Sequence, residues 1–125
     1  MKLLLDTHVY LWWLADSASL SAAAREKIIG ADTVFVSAAS VWEAIVKIGV
    51  GKLKADPEGV FRGIVESGFE PLPVTPEHAL ALTRLADHHR DPFDRILLAQ
   101  AITEPLHFLT ADKFLATYSS LVVEV

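Results

Sequence analysis

The chain has 125 residues, a formal net charge of −5 at pH 7 and no cysteine. Its length suits one domain over residues 1–125 with a substantial core. The missing thiols exclude disulfides and thiolate metal centres, and the acidic balance argues against a broad phosphate-binding patch. Apolar residues make up 52% and the mean hydropathy is +0.37, so some apolar surface is expected to meet a partner. No segment reaches the ~18 consecutive apolar residues of a membrane span. The opening Leu run is broken at Asp6, so neither a membrane segment nor a secretory signal is expected, and the chain reads as cytoplasmic.

Strand-like and helix-like segments alternate along the chain, the pattern of a parallel sheet with crossover helices. Residues 2–6 predict a first strand and Val9 to Leu14 a helix, with a second helix from about Ser21 to a stop at Gly30. Thr33-Val34-Phe35-Val36 is β-branched and aromatic, hence a second strand. Ser37 or Ser40 caps a helix to about Ile48, and Gly49, Gly51, Lys52 and Lys54 mark a loop. Asp56-Pro57 is a cap followed by proline at the first helical position, opening a helix to near Gly68. Glu70 to Val74 is extended, its two prolines suiting an edge strand or a loop. Thr75-Pro76 and Asp91-Pro92 repeat the cap-plus-proline signal, for helices to about His89 and from Phe93 to Thr103. The latter is apolar almost all round and is expected to be central. A strand at 107–110, a short helix around Lys113–Thr117 and a last strand at 121–123 close the chain. The paired Trp12-Trp13 point about 100° apart on a helix, which predicts one inside and one half-exposed.

Asp6 and Asp112 each follow an apolar, strand-like run. At the carboxyl ends of parallel strands, acids occupy the position where open α/β sheets bind ligands. Each also fits a helix N-cap. Asp91 and Asp94 open a helix in a capping-box-like spacing; that reading suffices for Asp91, whereas Asp94 lies in a helix that reads as buried, where an unpaired carboxylate is costly. Carboxylates that meet repel one another, and a divalent metal ion is the usual remedy. Glu43 lies nearly opposite the apolar stripe of Val41, Ala44, Ile45 and Ile48. It also completes a capping box with Ser40 and has Lys47 as an i,i+4 partner, so by pattern it is structural. The five histidines show no metal-ligand spacing; His88 and His89 suit a helix end. Arg90, Arg95 and Lys113 flank the acids, as solvated charges or, beside a metal site, as phosphodiester contacts.

Taken in order, Leu-Leu-Asp6-Thr7-His8, Val36-Ser37-x-x-Ser40-x-Trp42-Glu43, Asp91-Pro92-Phe93-Asp94-Arg95 and Leu109-Thr110-Ala111-Asp112 resemble a PIN domain. The resemblance is to the VapC-type toxins of bacterial toxin–antitoxin pairs and runs from the first strand to the last. It implies a three-layer α/β/α domain with a central parallel sheet. It implies an acidic cluster of Asp6, Glu43, Asp94 and Asp112 that binds Mg²⁺ or Mn²⁺ and cuts single-stranded regions of RNA. Glu43 enters by resemblance alone, against its periodicity, and Asp91 stays outside the usual four. Thr110 matches the small polar residue two positions before the last acid. His8 stands where many such domains carry Ser or Asn, a position for substrate contact. A homodimer and a cognate antitoxin are the implied partners.

Phosphodiester hydrolysis by one or two divalent ions needs no protein nucleophile, and hard oxygen ligands select Mg²⁺ or Mn²⁺ over zinc. Two other classes remain open: an aspartate-based phosphoryl-transfer domain using Asp6, and a catalytically silent interaction module that keeps the fold.

Overall fold

The computed structural model describes residues 1–85, 91–117 and 121–125, with side chains for all of these except 116 and 117. Five strands form one all-parallel sheet: β1 (Lys2–Leu5), β2 (Thr33–Ser37), β3 (Glu70–Leu72), β4 (His107–Thr110) and β5 (Val122–Glu124), in the order β3-β2-β1-β4-β5. Among the described residues, six α-helices surround it: α1 (Thr7–Leu14), α2 (Ala22–Gly30), α3 (Ala38–Gly49), α4 (Pro57–Glu66), α5 (Pro76–Ala81) and α6 (Pro92–Thr103). The architecture is the expected three-layer α/β/α arrangement.

β1 is central, and Leu3, Leu4 and Leu5 are all fully buried. A strand buried on both faces reads as a continuous apolar run. Side chains alternate across it: Leu3 and Leu5 join one core with Val9 and Tyr10 of α1, Ile28 of α2 and Ile64 of α4. Leu4 faces the opposite core with Leu97 and Leu98 of α6 and Phe108 of β4. Gly63 lets α4 approach α1, since a Cβ there would stand 2.6 Å from Leu14 Cδ2 and 2.8 Å from Tyr10 Oη. The Tyr10 hydroxyl donates to the Val60 carbonyl at 2.6 Å and completes this contact.

Strand order locates the crevice. From β1 the chain proceeds to β2 and β3 on one side, then returns to β4 and β5 on the other. The carboxyl ends of β1 and β4 therefore flank the point where the winding reverses, the usual ligand position in open parallel sheets.

Proline-marked helix starts are realised at Asp56, Thr75 and Asp91, whose side chains each accept backbone N–H bonds in the first turn. Other boundaries differ from expectation. α1 begins two residues early, at Thr7. The α-helix after Thr75 stops at Ala81 and tightens into a 3-10 turn over Leu82–Arg84. There the Thr83 hydroxyl donates to the Leu80 carbonyl at 2.8 Å, a side-chain bond that competes with the helical ladder. The expected continuation to His89, with His88, His89 and Arg90, lies outside the described residues. The short helix expected around Lys113–Thr117 is present, as a 3-10 helix. The apolar α6 is buried over Leu97–Ala101 but half-buried in its first turn. Trp12 and Trp13 are both half-buried, correcting the inside–outside split; the Trp13 indole N–H donates to Ser67 Oγ at 3.1 Å.

Candidate active site

Asp6 follows β1 directly and is only 4% exposed. It occupies the N-cap position of α1, yet its side chain makes no capping hydrogen bond. Instead the carboxylate points to the reversal point, where Oδ2 accepts the Thr110 hydroxyl proton at 2.6 Å. Oδ1 is buried with no hydrogen-bond partner among the described residues. Thr110 ends β4, and its Oγ1 also accepts the Asp112 backbone N–H at 3.0 Å. One hydroxyl thus ties the acid after β1 to the backbone of the acid after β4. Asp112 is exposed, with Oδ1 accepting the Phe114 N–H at 2.9 Å, so it stands at the mouth and caps the following turn.

Glu43 is 2% exposed, the main correction to the sequence reading. The observed inner face of α3 is Ala39, Ser40, Glu43 and Ala44, while Ile45 is 40% exposed. α3 starts at Ala38, immediately after β2 ends at Ser37, so its first turns lie over the carboxyl edge of the sheet. Polar side chains there face the site. Ser37 is the cap, accepting the Ala39 N–H at 3.0 Å, which leaves Ser40 inside the helix to accept the Thr7 hydroxyl at 2.8 Å. The Ser40–Glu43 capping box is therefore not formed. The i,i+4 pair is: Lys47 Nζ donates to Glu43 Oε2 at 2.7 Å, and Glu43 Oε1 remains buried with no partner among the described residues.

The acids perturb one another. Burial raises the Asp6 carboxyl above the usual range, the negative charge of Glu43 adds to this, and the Thr110 hydrogen bond and His8 oppose it. The hydrogen bond to Glu43 holds the Lys47 ammonium above the ordinary lysine range, helped by the charges of Glu43, Asp91 and Asp94 and opposed by partial burial. Asp94 belongs to the half-buried first turn of α6. Asp91 is the cap, its Oδ1 accepting the Phe93 and Asp94 N–H groups at 2.9 and 3.3 Å. The Trp42 and Phe93 rings meet edge-on, centroids 5.0 Å apart, and hold the starts of α3 and α6 together. His8 and Lys113 are exposed beside Asp6 and Asp112 in the chain, whereas Arg95 is half-buried and reaches the Leu82 carbonyl at 3.4 Å. Among the described residues, no three His, Asp or Glu side chains stand as a closed metal-ligand set. What the structure presents is two buried carboxylate oxygens, on Asp6 and Glu43, with no hydrogen-bond partner among the described residues.

Thr110→Val tests this arrangement without altering size. Loss of the hydroxyl leaves Asp6 Oδ2 and the Asp112 N–H unmatched, with an expected cost of about 2 kcal/mol in chemical denaturation. A Val variant as stable as the parent would refute the bridging role.

The PIN-domain family model matches residues 3–120. The chain belongs to the PIN-domain family. Ribonuclease VapC22 of Mycobacterium tuberculosis is 30% identical to this PIN domain over 117 residues, covering 92% of this chain and 90% of the relative. Among solved structures, VapBC2 from Rickettsia felis, bound to a promoter DNA fragment, aligns with TM-score 0.73 at 17% identity, over 99% of this chain and 98% of that one. VapC20 from M. tuberculosis, a sarcin-ricin loop cleaving toxin, gives 0.65 at 16% identity over 98% of both chains. The structural likenesses establish the fold. Within it, the PIN domain brings Asp6, Thr110 and Asp112 together through hydrogen bonds, and Lys47, paired with Glu43, feels the charges of Asp91 and Asp94. The residues that periodicity missed are Glu43 and Ser40. The legible signal was polar spacing: Ser40, Glu43 and Lys47 at i, i+3 and i+7 form a polar stripe directly after a strand.

Proposed function

We propose that this single PIN domain is a divalent-metal-dependent endoribonuclease that cuts single-stranded regions of RNA, as the toxin of a cytoplasmic toxin–antitoxin pair. The observation that carries the reading is the pair of buried, unpartnered carboxylate oxygens on Asp6 and Glu43. A lone buried carboxylate oxygen is costly, and a hard cation is the partner that best repays that cost. Kinship to a ribonuclease at 30% identity supports the choice of RNA. The toxin–antitoxin complexes among the structural neighbours support an antitoxin partner.

Asp6, Glu43, Asp94 and Asp112 are the residues that would hold Mg²⁺ or Mn²⁺, an all-oxygen set suited to those ions. When bound, the ion supplies neutralisation of phosphoryl charge and a more acidic water. The chain's own part is positioning. Thr110 fixes the rotamer of Asp6, Lys47 fixes that of Glu43, and the Thr7–Ser40 bond joins α1 to α3 between them. His8 and Lys113, both exposed, are the side chains this reading assigns to the phosphodiester backbone, and the Arg95 contact to Leu82 braces α6 besides any role with substrate. Trp42 and Val46 on α3, Val50 just beyond it, and Phe61 and Val65 on α4 expose apolar surface suited to a homodimer and an antitoxin.

Induced expression with sequencing of RNA ends tests this function in cells. Growth arrest with discrete new ends is expected for the parent and not for Asp6→Asn; equal arrest and equal ends from both would contradict it.

A further inference from the structure

Lys47 does more than the acids require for solvation. Its side chain is 34% exposed and pairs with a Glu43 side chain that is 3% exposed, at 2.7 Å. The surface pairs on α4 differ: Arg62 reaches Glu58 and Glu66 at 3.6 and 3.8 Å, with all three side chains more than half exposed. The Lys47 ammonium thus contacts a buried carboxylate and also feels the charges of Asp91 and Asp94.

The two buried acids each have one satisfied and one unsatisfied oxygen. Asp6 Oδ2 is held by Thr110 and Glu43 Oε2 by Lys47, while Asp6 Oδ1 and Glu43 Oε1 have no partner among the described residues. One free oxygen from each acid provides for one cation. A second ion at Glu43 Oε2 would meet an ammonium already at hydrogen-bond range, and like charges at that separation repel strongly where water is partly excluded.

We propose that Lys47 is a built-in cation that takes the place of a second metal ion in the RNA-free protein, so that only one divalent ion binds, on the side of Asp6 and Glu43. This rests on the metal-dependent reading above and assigns Lys47 as a positioning residue. It fixes Glu43 through Oε2, leaves Oε1 available to a cation, and would set how many ions the free protein accepts. Acceptance of a second ion would then need the added negative charge of a phosphate.

Titration of the metal-free protein with Mn²⁺, without RNA, reads this by calorimetry and by electron paramagnetic resonance. The parent and Lys47→Arg are expected to bind one equivalent. Lys47→Met, which keeps the aliphatic stem without the charge, is expected to bind two. Lys47→Gln carries the same expectation if the Met variant does not fold. Two equivalents on the parent, or one equivalent of unchanged affinity on a folded uncharged variant, would overturn the role of Lys47 and leave the metal reading standing. No Mn²⁺ on the parent would overturn the metal reading and this inference with it.

Discussion

Asp6→Asn is expected to abolish RNA cleavage while making the metal-free protein more stable. The carboxylate is buried, has one unpartnered oxygen and faces the charge of Glu43. Asn keeps an acceptor for the Thr110 hydroxyl and removes the negative charge. Relief of the buried charge is expected to add roughly 1–2 kcal/mol, or about 4–8 °C in Tm. Loss of a metal-holding charge worth several kcal/mol in the transition state lowers cleavage on the order of 10³-fold. The pH dependence has a definite sign. The Asp6 carboxyl binds its proton more tightly folded than unfolded, so its folding penalty is absent below the unfolded value of 3.8. The penalty grows as pH rises from there through the raised folded value. Metal-free Asp6→Asn should lose this fall in stability, and Mn²⁺ affinity of the parent should weaken as pH falls through the same range, where protons compete. Thermal melts of both proteins across acid to neutral pH check this. A destabilised Asn variant at neutral pH would refute the argument.

Glu43→Gln separates the two readings of that residue sharply. As a solvated i,i+4 partner of Lys47, its loss would cost only about 0.3–0.5 kcal/mol and leave activity unchanged. As the buried acid that the structure shows, its loss should lower cleavage on the order of 10²-fold or more, because Gln retains the shape and withdraws the charge. Stability should change little, since Lys47 remains one-third exposed to solvent. Single-turnover cleavage at saturating Mn²⁺ distinguishes the outcomes, and parental activity in the Gln variant would return Glu43 to a structural role.

Much of this molecule was legible because local signals and the global fold agree. Leu3-Leu4-Leu5 reads as a two-sided buried strand and is one. Three cap-plus-proline pairs start helices where their chemistry dictates. Asp6 and Asp112 were legible as strand-end acids, though Asp6 is buried and Asp112 exposed, a difference that no spacing encodes. Glu43 failed because periodicity assumes that the inner face of a helix meets a core. α3 begins directly after the last residue of β2, so its inner face overhangs the sheet edge, and the stripe that includes Ile45 is partly solvent-facing. The α-helix after Thr75 gives way at Ala81 to a 3-10 turn, where the Thr83 hydroxyl takes the Leu80 carbonyl, a local competition that periodicity does not register. The role of Thr110 as a bridge joins residues 104 positions apart in sequence and emerges only from strand order.

The central claim is that Asp6 and Glu43 form the heart of a metal-dependent ribonuclease site. The most direct measurement is cleavage of a single-stranded RNA by the purified protein in Mn²⁺, in EDTA, and in EDTA followed by excess Mn²⁺, with Asp6→Asn in parallel. Cleavage is expected in Mn²⁺, none in EDTA, recovery on re-addition, and none from the variant under any condition. Equal cleavage in EDTA, or full Mn²⁺-dependent cleavage by Asp6→Asn, would contradict it.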